Sequence, residues 1–166
     1  MKADDQFQIR VEGIHFAAAH FATYAGGCEP LHGHDYGVAA AVEGTLDENA
    51  WVVDFGAVKA ILRSLCEELD HRFLLQRDST VLAIDATDAA WEVKTPAGIG
   101  YVLPRTDVVA LAIDNTTSER LAEWLSGRLW QALAERGAAN VRSVTVEVWE
   151  GPGQRASHRR ERPPAG

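Results

Sequence analysis

The sequence predicts an α+β fold, because two segments of helical periodicity are set among strands of alternating polarity. In the first, Val58, Ile61, Leu62, Leu65 and Leu69 form an apolar stripe, with Lys59, Arg63, Glu67 and Glu68 off it. Leu121, Ala122, Leu125, Leu129 and Leu133 repeat the pattern in the second. Phe7-Gln8-Ile9-Arg10-Val11 near the start, and Val144, Val146 and Val148 near the end, alternate at the two-residue period of a half-buried strand. The chain of 166 residues, 46% of them apolar, suffices for one domain with a real core, assigned to residues 1–153. A net charge of −8 argues against a nucleic-acid partner.

Taken in order, the first strand continues through Ile14 to Phe21. Thr23 to Pro30, with Gly26, Gly27 and Pro30, reads as a loop that delivers Cys28. His32 to Val42 follows as a second strand, antiparallel to the first and closed by Gly44-Thr45-Leu46-Asp47. A helix of about three turns starts after Asp54 and ends at Leu69-Asp70-His71. The stretch 76–114 reads as a β-rich insertion, where Ala90 to Lys94 and Ile99 to Leu103 flank the hairpin signal Thr95-Pro96-Ala97-Gly98. Thr116 is expected to cap the second helix, with Glu119 completing a capping box and Gly137 ending it. Residues 154–166, with Arg155, Arg159, Arg160, Arg162, Pro163 and Pro164, read as a flexible basic tail.

The chemistry concentrates in Cys28-Glu29-Pro30-Leu31-His32-Gly33-His34. On an extended backbone His32 and His34 point to one face, and Gly33 leaves room between them. Paired imidazoles read as metal ligands, Zn²⁺ by ligand type, and a catalytic site with three protein ligands takes His20 as the third. Cys28 is either a fourth ligand or a nucleophile or base beside the metal; the spacing leaves both open. Glu150 continues the inward parity of the last strand, where a carboxylate is costly unless something such as a ligand's donor pair hydrogen-bonds it. Cys66 reads as a core residue of the first helix, and His15 and His158 lack partners at ligand spacing. Free thiols, with no signal-like or membrane-length apolar run, fit a cytoplasmic chain with no membrane partner.

Phe16-Ala17-Ala18-Ala19-His20, Cys28-x-x-x-His32-Gly33-His34, Asp54-Phe55, Leu69-Asp70-His71, Thr117-x-Glu119 and Glu150 follow in an order that resembles the 6-pyruvoyl-tetrahydropterin synthase / 6-carboxytetrahydropterin synthase family. The resemblance runs from about residue 7 to residue 151, broken by the insertion. It implies the tunnelling fold, an antiparallel sheet with two helices on one face, assembled as homo-oligomers built of trimers that often stack into hexamers. It implies zinc on His20, His32 and His34, with Cys28 as the catalytic cysteine. Asp70 and His71 would complete the catalytic triad across a subunit interface. Glu150 would anchor the amino-pyrimidine edge of a pterin substrate, beside Thr117, Ser118 and Glu119.

The implied reaction is a zinc-dependent lyase conversion of 7,8-dihydroneopterin triphosphate to 6-carboxy-5,6,7,8-tetrahydropterin, on a queuosine-type pathway. The alternatives are 6-pyruvoyl-tetrahydropterin or 6-hydroxymethyl-dihydropterin as product, and a non-catalytic zinc- and pterin-binding protein. Glu29 bears on this choice. Family members that form the hydroxymethyl product resemble Glu-x-x-His-Gly-His, and the combined Cys28-Glu29 motif resembles members credited with both activities. Glu29 is therefore a second candidate catalytic residue, against the plainer reading of a solvent-facing loop carboxylate. The chain departs from the family pattern at Arg120 and Gly151, where asparagine and threonine are usual.

Overall fold

A computed structural model describes residues 5–162. In chain order the elements are β1 (Phe7–His20), β2 (Thr23–Tyr24), β3 (Gly27–Cys28), β4 (His32–Gly44), α1 (Phe55–Leu69) and β5 (Arg72–Gln76). There follow β6 (Ala83–Ala86), β7 (Ala90–Lys94), β8 (Gly100–Pro104), β9 (Val108–Leu111), α2 (Ser118–Glu135), β10 (Val141–Gly151) and β11 (Gln154–Glu161). Six strands form the main sheet in the order β11-β10-β4-β1-β5-β9, with β5 parallel to both neighbours and the other pairs antiparallel.

One face of this sheet is apolar by alternation. Val11, Ile14, Phe16, Tyr36, Val38, Ala40, Val42, Val144, Val146 and Val148 turn inward and pack with the stripes of α1 and α2 in a single cluster. Each fully buried aliphatic side chain there contributes about 1.5–3 kcal/mol. Val11 pairs with Ala40 and Ile14 with Val38, so the intervening Glu12 and Gly13 form a bulge, with Gly13 at φ +76°. The bulge lets Val11 and Ile14 both face the core despite their odd spacing, and it breaks the alternation visible in the sequence.

Asp54 caps α1 by accepting from the Ala57 amide at 2.7 Å. At α2 the structure corrects the expected cap: Thr117, not Thr116, accepts from the Arg120 amide at 3.4 Å. Thr116 is fully buried, and its hydroxyl is taken by Gln76 and the Phe21 carbonyl. The expected loop from Thr23 to Pro30 contains the short β2-β3 hairpin.

The basic tail is also corrected. Gln154–Glu161 is the edge strand β11, paired with β10 from Ser143↔Glu161 to Trp149↔Arg155. Its arginines read as loose cations only while their partners are out of view. On the outer face Arg159 meets Glu43 at 2.8 and 2.7 Å, Arg155 meets Glu147 at 3.3 Å, and Arg10 meets Glu147 at 2.6 and 2.9 Å. Pro163 and Pro164 lie outside the described residues.

The insertion is β-rich as expected. β6, β7 and β8 make a separate antiparallel sheet over a small cluster of Phe21, Phe73, Leu75, Leu82 and Val93, and β9 returns to the main sheet beside β5. Among the described residues no helix is long and apolar enough to cross a membrane.

Candidate active site

The site forms where the inward face of the main sheet runs out of apolar residues. On β1 the series Ile14, Phe16, Ala18 ends in His20; on β4 the series Val38, Tyr36 ends in His34 and His32; on β10 the valines end in Glu150. The register Ala18↔His34 and His20↔His32 places the three histidines side by side. Gly33 lies between its two histidines because a Cβ there would come within 2.9 Å of the Ala18 carbonyl oxygen.

The imidazoles of His20, His32 and His34 converge, with ring centroids 4.6, 5.2 and 4.8 Å apart and potential ligand atoms within 4.8 Å of one another. His20 Nδ1 lies 3.0 Å from the Thr116 carbonyl, and His32 Nδ1 lies 2.8 Å from the Pro30 carbonyl. A carbonyl only accepts, so in both rings Nδ1 carries the proton and Nε2 keeps its lone pair. Nε2 of His20 and of His34 are buried without a hydrogen-bond partner, which is costly in a neutral pocket and fits lone pairs aimed at a cation. Burial, then the neighbouring His32 and His34, lower the His20 pKa to about 4, so the ring is neutral and ligand-competent near pH 7. This donor set suits zinc.

Around the histidines a pocket of about 400 Å³ is bordered by Glu29, Thr117, Ser118, Glu119, Glu150 and the start of β11. Ser118, the first residue of α2, donates to Glu150 Oε1 at 3.1 Å, and Glu150 Oε2 lies 3.9 Å from His34 Nε2. Glu29 Oε2 lies 3.9 Å from His32 Nε2. Arg155 borders the pocket through the turn into β11, but its guanidinium pairs with Glu147 on the outer face.

Two predicted groups are not brought to this pocket. Cys28 packs against the insertion's apolar cluster and borders a separate cavity with Tyr24, Pro96, Ile99 and Tyr101. Its thiol lies 3.4 Å from the Glu29 carbonyl, and burial, then the Glu29 charge, push its pKa up, opposite to the shift that primes a thiolate. Asp70 and His71 do pair, at 2.8 Å, and Asp70 also accepts from the Ala17 amide at 2.8 Å. Those bonds, Ala17 first, hold the Asp70 carboxyl below its ordinary value. The His71 side chain is 82% exposed, away from the histidine pocket of its own chain.

Sequence reasoning missed Gln76, Thr116 and Asn115. Asn115 clamps the turn after His20, accepting from the Thr23 amide at 2.9 Å and donating to its carbonyl at 2.8 Å. The available signal was Gln76 closing the apolar run Phe73-Leu74-Leu75; Asn115 and Thr116 sit in a polar run that carries none. Cys66 is a core residue, its thiol pushed up to about 12 by burial. His158 lies 2.7 Å from the Ser126 hydroxyl, tying β11 to α2.

The chain matches the model of the 6-pyruvoyl tetrahydropterin synthase family over residues 8–161. It is 31% identical over 136 residues to the 6-carboxy-5,6,7,8-tetrahydropterin synthase of Aquifex aeolicus, covering 81% of this chain and 76% of that one. It is 26% identical over 136 residues to the dihydroneopterin monophosphate aldolase of Pyrococcus furiosus, covering 82% and 83%. The crystal structure of 6-pyruvoyl tetrahydropterin synthase from Plasmodium vivax superposes with a TM-score of 0.89 at 29% identity, over 95% of this chain and 99% of that one. That protein has also been solved with a catalytic glutamate replaced by alanine or cysteine. With the match spanning β1 to β11 and the same fold in the solved relative, the chain belongs to the 6-pyruvoyl tetrahydropterin synthase family.

Proposed function

We propose that the chain is a zinc-dependent lyase that acts on the side chain of 7,8-dihydroneopterin triphosphate and forms 6-carboxy-5,6,7,8-tetrahydropterin. The observation that supports this best is the convergence of three histidines, two with buried and unpartnered Nε2 atoms, in a pocket that also holds the Ser118-held Glu150. The name of the Aquifex relative supports the product. Zinc bound to His20, His32 and His34 would supply a Lewis acid that lowers the proton affinity of side-chain hydroxyls. Glu150 would accept two parallel hydrogen bonds from the amino-pyrimidine edge, with Thr117, Ser118 and Glu119 lining the same pocket. Glu29, which borders the pocket with its carboxylate 3.9 Å from His32 Nε2, would move a proton at the substrate side chain. His71, oriented by Asp70 and exposed, would serve the pocket of a neighbouring copy in a trimer-based homo-oligomer. The free thiols fit a cytoplasmic setting.

A second reading is carbon–carbon cleavage to 6-hydroxymethyl-dihydropterin. It is favoured by the placement of Glu29, and not Cys28, at the pocket. The catalytic glutamate of the Plasmodium protein and the aldolase name of the Pyrococcus relative support it. Incubation of zinc-loaded protein with dihydroneopterin triphosphate, followed by mass identification of products, tests both. A carboxylated pterin with acetaldehyde is the expected result; hydroxymethyl-dihydropterin with a two-carbon aldehyde would establish the second reading. Zinc and pterin binding without turnover would overturn both in favour of a binding protein.

A further inference from the structure

Behind His20 lies a closed polar loop in an otherwise apolar interior. His20 Nδ1 is 3.0 Å from the Thr116 carbonyl and 3.2 Å from its hydroxyl. The Thr116 hydroxyl is 3.1 Å from Gln76 Oε1 and 3.2 Å from the Phe21 carbonyl. Gln76 Nε2 donates to that same Phe21 carbonyl at 3.1 Å. Phe21 is the next residue after His20, so the loop returns to the backbone that carries the ligand. His20 is 2% exposed, and Phe21, Gln76 and Thr116 are 0% exposed.

The proton count gives this loop a direction. Thr116 has one hydroxyl proton, and two acceptors compete for it, Gln76 Oε1 and the Phe21 carbonyl. Gln76 Nε2 already supplies the Phe21 carbonyl, which leaves Oε1 as the acceptor without another donor. The hydroxyl proton then points at Gln76 and its lone pairs face His20 Nδ1–H. A glutamine with no exposed surface is costly unless both ends of its amide are bonded, and here both ends are spent on this loop.

We propose that Gln76 is a positioning residue for the metal centre: its amide holds the Thr116 hydroxyl as an acceptor toward His20, and through it fixes the direction of the His20 ring, whose tautomer the Thr116 carbonyl sets. This rests on the reading of His20, His32 and His34 as zinc ligands. Gln76 is also the last residue of β5, paired with Leu111 of β9, so the strand that leads into the insertion and the strand that returns from it are in register at this residue.

The test is zinc affinity of the full chain, measured by competition with a chromophoric chelator, with the visible spectrum of the cobalt-substituted protein as a second readout. Gln76→Met keeps the shape and removes the acceptor, and is expected to weaken zinc by about 10–100-fold and to alter the cobalt spectrum. Gln76→Glu, entering as the neutral acid, keeps an acceptor at Oε1 and a donor toward Phe21, and is expected to restore affinity to within a few-fold of wild type. Thr116→Val should match Gln76→Met, and it carries the test if that variant does not fold. Wild-type zinc affinity and an unchanged cobalt spectrum in Gln76→Met, or in Thr116→Val where Gln76→Met is unfolded, would overturn the proposal. Failure of the wild-type chain itself to bind zinc would instead overturn the ligand assignment beneath it.

Discussion

The histidine end of the main sheet and the insertion over β5 present two ways of making a pocket. At the histidine end, three long strands bring polar residues to one place because each continues the inward parity of a large shared core. In the insertion, three short strands cover a five-residue cluster and border a second cavity, lined by Tyr24, Pro96, Ile99 and Tyr101. Cys28 and Glu29 stand at the boundary between the two. Adjacent residues on an extended chain point to opposite sides, and here the thiol goes to the insertion while the carboxylate goes to the histidines. The difference teaches that a functional group is assigned by the core its strand belongs to, and not by closeness in sequence to the metal ligands.

The largest effect should come from breaking the histidine end itself. His32→Ala removes one of three converging ligands and is expected to abolish stoichiometric zinc, with turnover lost; metal analysis after gel filtration checks this. Unchanged metal content would sink the ligand assignment. Next comes the boundary pair. Glu29→Gln is expected to lower kcat by about 10²–10⁴-fold, and Cys28→Ala by far less, because the thiol lies outside the pocket and is held protonated. Steady-state kinetics on the two variants decides it: a larger loss in Cys28→Ala would return the acid–base role to the thiol.

The two cores can be compared directly. Leu125, 0% exposed at the centre of α2's stripe, is expected to cost about 2–5 kcal/mol on truncation to alanine, and Leu82, 7% exposed over the small cluster, to fall near the lower end of that range. Urea unfolding of both variants measures the difference. Equal losses would mean that the insertion is as tightly packed as the sheet.

Much of this was legible in the sequence. The stripes of Val58 to Leu69 and Leu121 to Leu133 marked both helices, and the alternation to Val148 carried Glu150 to the correct face. His32 and His34 shared a face by parity, and His20 joined them through register. What escaped notice depended on partners remote in sequence. Thr116 looked like a cap until Gln76 and Phe21 engaged it, and Arg155 and Arg159 looked like a loose tail until Glu147 and Glu43 paired with them across the sheet. The surroundings of Cys28 are hidden from the sequence for another reason: they are made by Tyr101 and the turn at Pro96, far along the chain, and no local pattern announces that packing.

The smallest effect expected lies on the outer face of the main sheet, where the insertion has no counterpart to the Glu43 ion pair in extent. Hydrogen bonding to Arg159, with Gln8 and Ser143 adding to it, lowers the Glu43 pKa from 4.5 to about 2. The folded state therefore holds this carboxylate charged at pH values where the unfolded chain has begun to protonate it. The stability it contributes is present above about pH 4.5 and is lost as pH falls toward 2. Urea midpoints followed by tryptophan fluorescence should thus decline across that window in the wild-type chain and decline less in Glu43→Gln, which cannot titrate. Arg159→Met removes the partner whose hydrogen bond is the largest cause of the shift, and should flatten the same window while leaving the carboxylate in place. If both variants retain the full wild-type slope, the Glu43–Arg159 pair does not anchor β11 to the sheet, and the strand is held by its backbone ladder to β10 and by Ser126 and His158.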